Sequence, residues 1–135
     1  MSDKNRKSSD EKFGRRIEKL TQLIKKKGYT TVNKGDSIIL KLMGDEVVVE
    51  LDPKSSFGYR TSYHVASASE SNSACHEKIM DITKKVRLVK ILQRENSVDF
   101  VIDVCYSKPA EFVRNLSRFG EILHLAAFMF AEDQE

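Results

Sequence analysis

The chain has 135 residues, a mass of 15.4 kDa, a net charge of +3, and 40% apolar and 32% charged residues. That size supports one hydrophobic core and not two, and the balance excludes a disordered or collagen-like chain. No apolar run approaches the roughly 18 residues that a membrane-spanning helix needs. The polar start Met1-Ser2-Asp3-Lys4 lacks the apolar stretch of a secretory signal. With only two cysteines, the expected location is a reducing cytoplasm.

The charge is uneven. Residues 1–27 hold ten Lys/Arg against four Asp/Glu, a surplus of +6, and the remaining thirteen Lys/Arg and sixteen Asp/Glu leave −3. Residues 1–12 are nearly all polar and read as a mobile basic tail ahead of a single domain over 13–135. From Phe13 the apolar residues Phe13, Ile17, Leu20 and Ile24 fall at spacings of four, three and four, which predicts a helix. Lys25-Lys26-Lys27 fills its last turn, and Gly28 suits the left-handed position that closes it.

The period then changes to two. Ser37–Met43 and Glu46–Leu51 predict a hairpin, with Gly44-Asp45 as a type II′ turn, and Asp52-Pro53 stops the second strand. A third strand over Tyr59–Ala66 sets Tyr59, Thr61, Tyr63 and Val65 on one face. The polar stretch Ser67–Ser73 leads to a short helix over Ala74–Lys85. Arg87–Arg94 and Val98–Tyr106 predict a second antiparallel hairpin. Pro109 opens the last helix, where Phe112, Leu116, Phe119, Leu123, Ala126 and Phe130 give the strongest periodic signal in the chain. Helix, three strands, helix, two strands, helix is the order of an α+β fold, a two-layer arrangement of an antiparallel sheet packed by helices.

Motifs for chemistry are absent: the glycines stand singly, and there is no H-E-x-x-H and no C-x-x-C. His64, Cys75, His76 and Cys105 would serve a metal-sensing or small-molecule-sensing arrangement, but they lack the paired spacing of a structural zinc site, so no metal and no cofactor is expected. Cys105 with Asp103 and His64 is the one arrangement with a nucleophile and a base, and nothing local supports it. Asp99 and Asp103 stand about 13 Å apart along a strand, too far to share a proton. The expectation is therefore not an enzyme.

Two surfaces invite a partner. On the last helix, Leu125 and Phe128 fall on the face of Arg114, Arg118 and Glu121, and with Met129 they form a candidate protein interface, most simply in a homodimer. The basic segment, with Lys4, Arg6, Lys7, Lys12, Arg15, Arg16, Lys25, Lys26 and Lys27, is the alternative: a nucleic-acid contact through phosphates. Only Phe13 is interleaved with these cations, so base stacking is not indicated.

The helix end Lys27-Gly28-Tyr29, the Ile38–Leu51 hairpin and the closing helix from Pro109 through Phe119 together resemble the YbjN-like domains, over about Arg15 to Ala131. The resemblance implies the fold of type III secretion chaperones and a small bacterial cytoplasmic protein, often dimeric, that binds other proteins and catalyses nothing. The segment before Phe13 lies outside it.

Overall fold

Lys25, Lys26 and Lys27 do stand where a helix ends, and the backbone shows how. In this computed structural model, which describes residues 2–66, 72–94 and 97–132 and the side chains of 11–65, 77–94 and 97–131, helix α1 spans Ser2–Lys26. Gly28 takes a φ of 107°, its amide donates to the Lys25 carbonyl and that of Tyr29 to the Ile24 carbonyl. This is a Schellman closure, which needs a residue tolerant of positive φ. The helical path begins well before Phe13, because no glycine or proline stands between Ser2 and Lys12 to stop it.

Five further sequence expectations locate strands, and the sheet adds one. Strands β1 (Thr31–Lys34), β2 (Ser37–Leu42), β3 (Asp45–Leu51), β4 (Gly58–Ala66), β5 (Lys90–Gln93) and β6 (Ser97–Cys105) form one antiparallel sheet in the order β1-β2-β3-β4-β6-β5. Strand β1 is the addition. It is only four residues long, and its one aliphatic residue, Val32, points to the exposed face, so no alternation announces it. Gly35 fills the first loop position between β1 and β2 with a φ of 58°, as a type II′ turn requires.

The next hairpin turns one residue earlier than the sequence suggests. Leu42 pairs with Asp45, so the loop is Met43-Gly44, with φ values of 55° and 81°. Two positive φ values make it the type I′ turn, whose twist matches the strands, in place of the expected type II′ turn at Gly44-Asp45. The strand expected over Arg87–Arg94 is shorter, at Lys90–Gln93, because Val86 and Val89 turn inward in the connection from helix α2 (Asn72–Lys85).

The closing helix is broken once, into α3 (Pro109–Arg114) and α4 (Leu116–Glu132). Asn115 explains the break. Its side-chain Nδ2 donates to the Glu111 carbonyl at 2.9 Å, while its amide turns to the Phe112 carbonyl at 3.1 Å. The side chain thus takes the acceptor that its own amide would use in a regular helix.

All four helices pack on one face of the sheet. Registers align Ile38, Val49, Thr61 and Ile102 in one row across that face, and Leu40, Val47, Tyr63 and Phe100 in the next. Onto these rows α1 brings Ile17, Leu20 and Ile24, and the closing helices bring Phe112, Leu116, Phe119, Leu123, Ala126 and Phe130, all buried. Phe112 stacks on Tyr59 at 4.5 Å and meets Tyr106 and Phe119, so an aromatic cluster ties α3 and α4 to β4 and the end of β6. Fully burying one such ring contributes roughly 1.5–3 kcal/mol.

Candidate functional site

With the inward stripe of α4 filled by Leu116, Phe119, Leu123, Ala126 and Phe130, its other residues are left for other work. Ser117, Arg118, Glu121 and His124 are exposed, as an amphipathic helix demands. Leu125 and Phe128, one turn apart among them, are 50% and 55% exposed. Met129 is half-buried and packs at the margin of the core. The structure therefore places Leu125 and Phe128 together on the surface and leaves Met129 between surface and core.

The neighbouring β2–β3 hairpin is fastened to this helix. His124 Nδ1 donates to Asp45 Oδ2 at 2.9 Å, and Gly120 lies so close that a Cβ there would stand 2.7 Å from Leu42 Cβ. Burial first, and the nearby Asp45 charge with it, push the Tyr63 phenol above its ordinary range. The hairpin tip carries Met43, 57% exposed and two residues from the His124 bond. Sequence reasoning missed Met43 because it read the residue as part of a strand and not as a turn. Placing the loop at Met43-Gly44 would have exposed it.

The opposite face of the sheet has no helix on it among the described residues. Here the acids of β6 are each held by cations. Arg60 donates twice to Asp103, at 2.8 and 3.0 Å, and Lys90 lies 3.8 Å from the same carboxylate. Arg60's bond outweighs partial burial and holds the Asp103 carboxyl below its ordinary range. At Asp99 burial pushes the pKa up, but bonds from His64 at 2.6 Å and Arg94 at 2.8 Å together prevail and lower it. Between these pairs Val101 is 1% exposed although it lies on the open face.

This geometry separates the residues of the catalytic arrangement. His64 pairs with Asp99, and Cys105 pairs with Gly58 six residues along the ladder, about 20 Å away. Asp103, the carboxylate of that arrangement, is engaged by Arg60. Cys105 is exposed and free. The side chains of Cys75 and His76 lie outside the described residues; among the described residues no group of three or more His, Cys, Asp or Glu is placed to hold a metal ion. No described helix is long and apolar enough to cross a membrane.

The cations named on α1 and at its end, with Lys19 beside them, stand in four kinds of place. Lys4, Arg6 and Lys7 have side chains outside the described residues. Arg16 is committed to the β3–β4 loop, donating to the Ser56 carbonyl at 3.0 Å and lying over the Phe13 ring. Lys25 faces β1, beside Thr31 and Asn33. Lys12, Arg15, Lys19, Lys26 and Lys27 are exposed.

No family model and no curated protein matches the chain. Solved structures that share its fold include the following two. YbjN from E. coli, described as a candidate transcription regulator, superposes with a TM-score of 0.70 at 10% identity, covering 87% of this chain and 92% of that one. An uncharacterized protein from Methanothermobacter thermautotrophicus does so with a TM-score of 0.56 at 10% identity, covering 87% and 98%. The chain has the YbjN-like fold.

Proposed function

We propose that this chain is a non-enzymatic protein-binding domain, chaperone-like or adaptor-like, that acts in the cytoplasm as a homodimer joined through the outward face of α4. The observation that carries this reading is the pair Leu125 and Phe128. Both are at least half exposed, on a helix whose inward stripe is already complete without them. Neighbouring large apolar side chains on an otherwise polar helix face mark a place where another surface excludes water. A self-complementary patch around a two-fold axis is the commonest way to cover such a surface. Met43 is a further exposed apolar side chain, on the hairpin that His124 fastens to α4.

An exposed, unpaired Cys105 agrees with a reducing compartment. A regulator of the kind YbjN is described as being acts by contact and not by turnover, which agrees with this reading.

The test compares the parent with Leu125→Asp/Phe128→Asp. For a dimer, the unfolding midpoint rises with protein concentration, because association stabilises only the folded state. The reading expects a concentration-dependent midpoint in the parent, and in the variant a native circular dichroism spectrum with a midpoint independent of concentration. A concentration-independent parent, or a variant that is unfolded, contradicts it.

A further inference from the structure

The cations of α1 form a line. At about 100° per residue, Lys12, Arg15, Lys19 and Lys26 fall within an arc of about 60°, and the line they make is about 21 Å long at 1.5 Å per residue. Glu11 and Glu18 fall outside it, by about 40° and 60° from its edge. The line leads into a groove of about 340 Å³ between α1 and α3, whose lining is Leu23, Lys26, Lys27, Ala110, Val113 and Arg114. Three of those six side chains are cationic and none is acidic. Among the described residues, none of Lys12, Arg15, Lys19, Lys26, Lys27 and Arg114 forms an ion pair, whereas Arg60, Lys90 and Arg94 on the open sheet face all do.

We infer that this line and groove bind the phosphate backbone of double-stranded nucleic acid, through residues other than Leu125 and Phe128. A straight row of cations on a rigid helix matches the regular charge spacing of a duplex, where neutralising phosphates releases condensed counterions. Single strands are held in large part by stacking bases on aromatic rings. The row itself carries no ring, and the one ring among these cations in the helix, Phe13, is half-buried under Arg16. Readout of base edges requires side chains that reach into a groove with matched donors and acceptors. Lysines and arginines on one flank supply charge instead, so binding is independent of sequence. The new participant is Arg114, which lies 87 residues beyond Lys27 in the chain and joins the patch only because α3 packs against α1.

Fluorescence anisotropy with a 20-base-pair duplex of DNA, and another of RNA, tests this in the full chain. Six phosphate contacts predict a slope near −5 for log affinity against log salt, a loss of about 10³ between 50 and 200 mM. Lys26→Glu/Lys27→Glu/Arg114→Glu should weaken binding at least tenfold and flatten the slope by about three, with an unchanged unfolding midpoint. Leu125→Asp/Phe128→Asp should leave the salt slope unaltered. The inference is overturned by no duplex binding, by a salt-independent affinity, or by anionic lipid vesicles binding where the duplex does not. It is equally overturned if the triple reversal binds as the parent does while Lys4→Glu/Arg6→Glu/Lys7→Glu abolishes binding.

Discussion

Helices α1 and α4 lie on the same face of one sheet and bury the same kind of stripe, yet they turn opposite chemistry outward. On α1, Leu20 and Ile24 are buried and Lys12, Arg15, Lys19 and Lys26 face water. On α4, Leu123 and Phe130 are buried and Leu125 and Phe128 face water. Folding dictates the inward stripe of each helix, because a two-layer domain must hide it. The outward residues are not required by the fold, so the difference between them is where function is to be sought.

Substitution sharpens that contrast most where the effect is largest. Leu20→Ala and Leu123→Ala should each lose about 2–5 kcal/mol in urea denaturation. Lys19→Ala, and Leu125→Ala at dilutions that keep the chain monomeric, should stay within about 0.5 kcal/mol. A loss of several kcal/mol at Leu125 would move it from surface to core. Next is Gly120→Ala, which should lose about 1–3 kcal/mol, since its Cβ would meet Leu42 Cβ at 2.7 Å and neither atom sits at the end of a flexible side chain. An unchanged midpoint would mean that the hairpin is not held tightly against α4.

The open sheet face gives a smaller, pH-dependent effect. Asp99 and Asp103 have folded pKa values below their ordinary ones, so their contribution is complete above the unfolded carboxylate range near 4 and is lost as pH falls through the folded values. Exposed pairs of this kind contribute roughly 0.2–1 kcal/mol each. Stability followed from pH 7 to pH 2 should hold above about pH 5 and then decline, and Arg60→Ala should flatten part of the decline. A decline of equal steepness in the variant would remove Arg60–Asp103 from the account. Smallest is Thr61→Val: Thr61 Oγ1 is buried with no hydrogen-bond partner, so replacing it should change stability by no more than about 0.5 kcal/mol, in the stabilising direction. A clear loss would reveal a bond to the hydroxyl.

Period made most of this fold legible. The strands alternating Tyr59, Thr61, Tyr63 and Val65, or Val98, Phe100 and Ile102, turn those residues inward, and the Phe112–Phe130 stripe is the one buried. What escaped has local causes. Strand β1 gives no alternation because it lies at the sheet edge with Val32 on the open face. The break at Asn115 depends on which carbonyl its amide group takes, and no period encodes that. Of the two surfaces, Leu125 and Phe128 were readable as residues out of place on a polar face. The joining of Arg114 to Lys26 and Lys27 was not, because it depends on how α3 packs against α1.

The central claim is that the outward face of α4 is an interface between two copies. Sedimentation equilibrium of the parent, of Leu125→Asp/Phe128→Asp and of Lys26→Glu/Lys27→Glu/Arg114→Glu tests it in one experiment. The account predicts twice the 15.4 kDa chain mass for the parent and the α1–α3 variant, and the single-chain mass for a folded α4 variant. A monomeric parent, or a dimer that survives both aspartates, would contradict it.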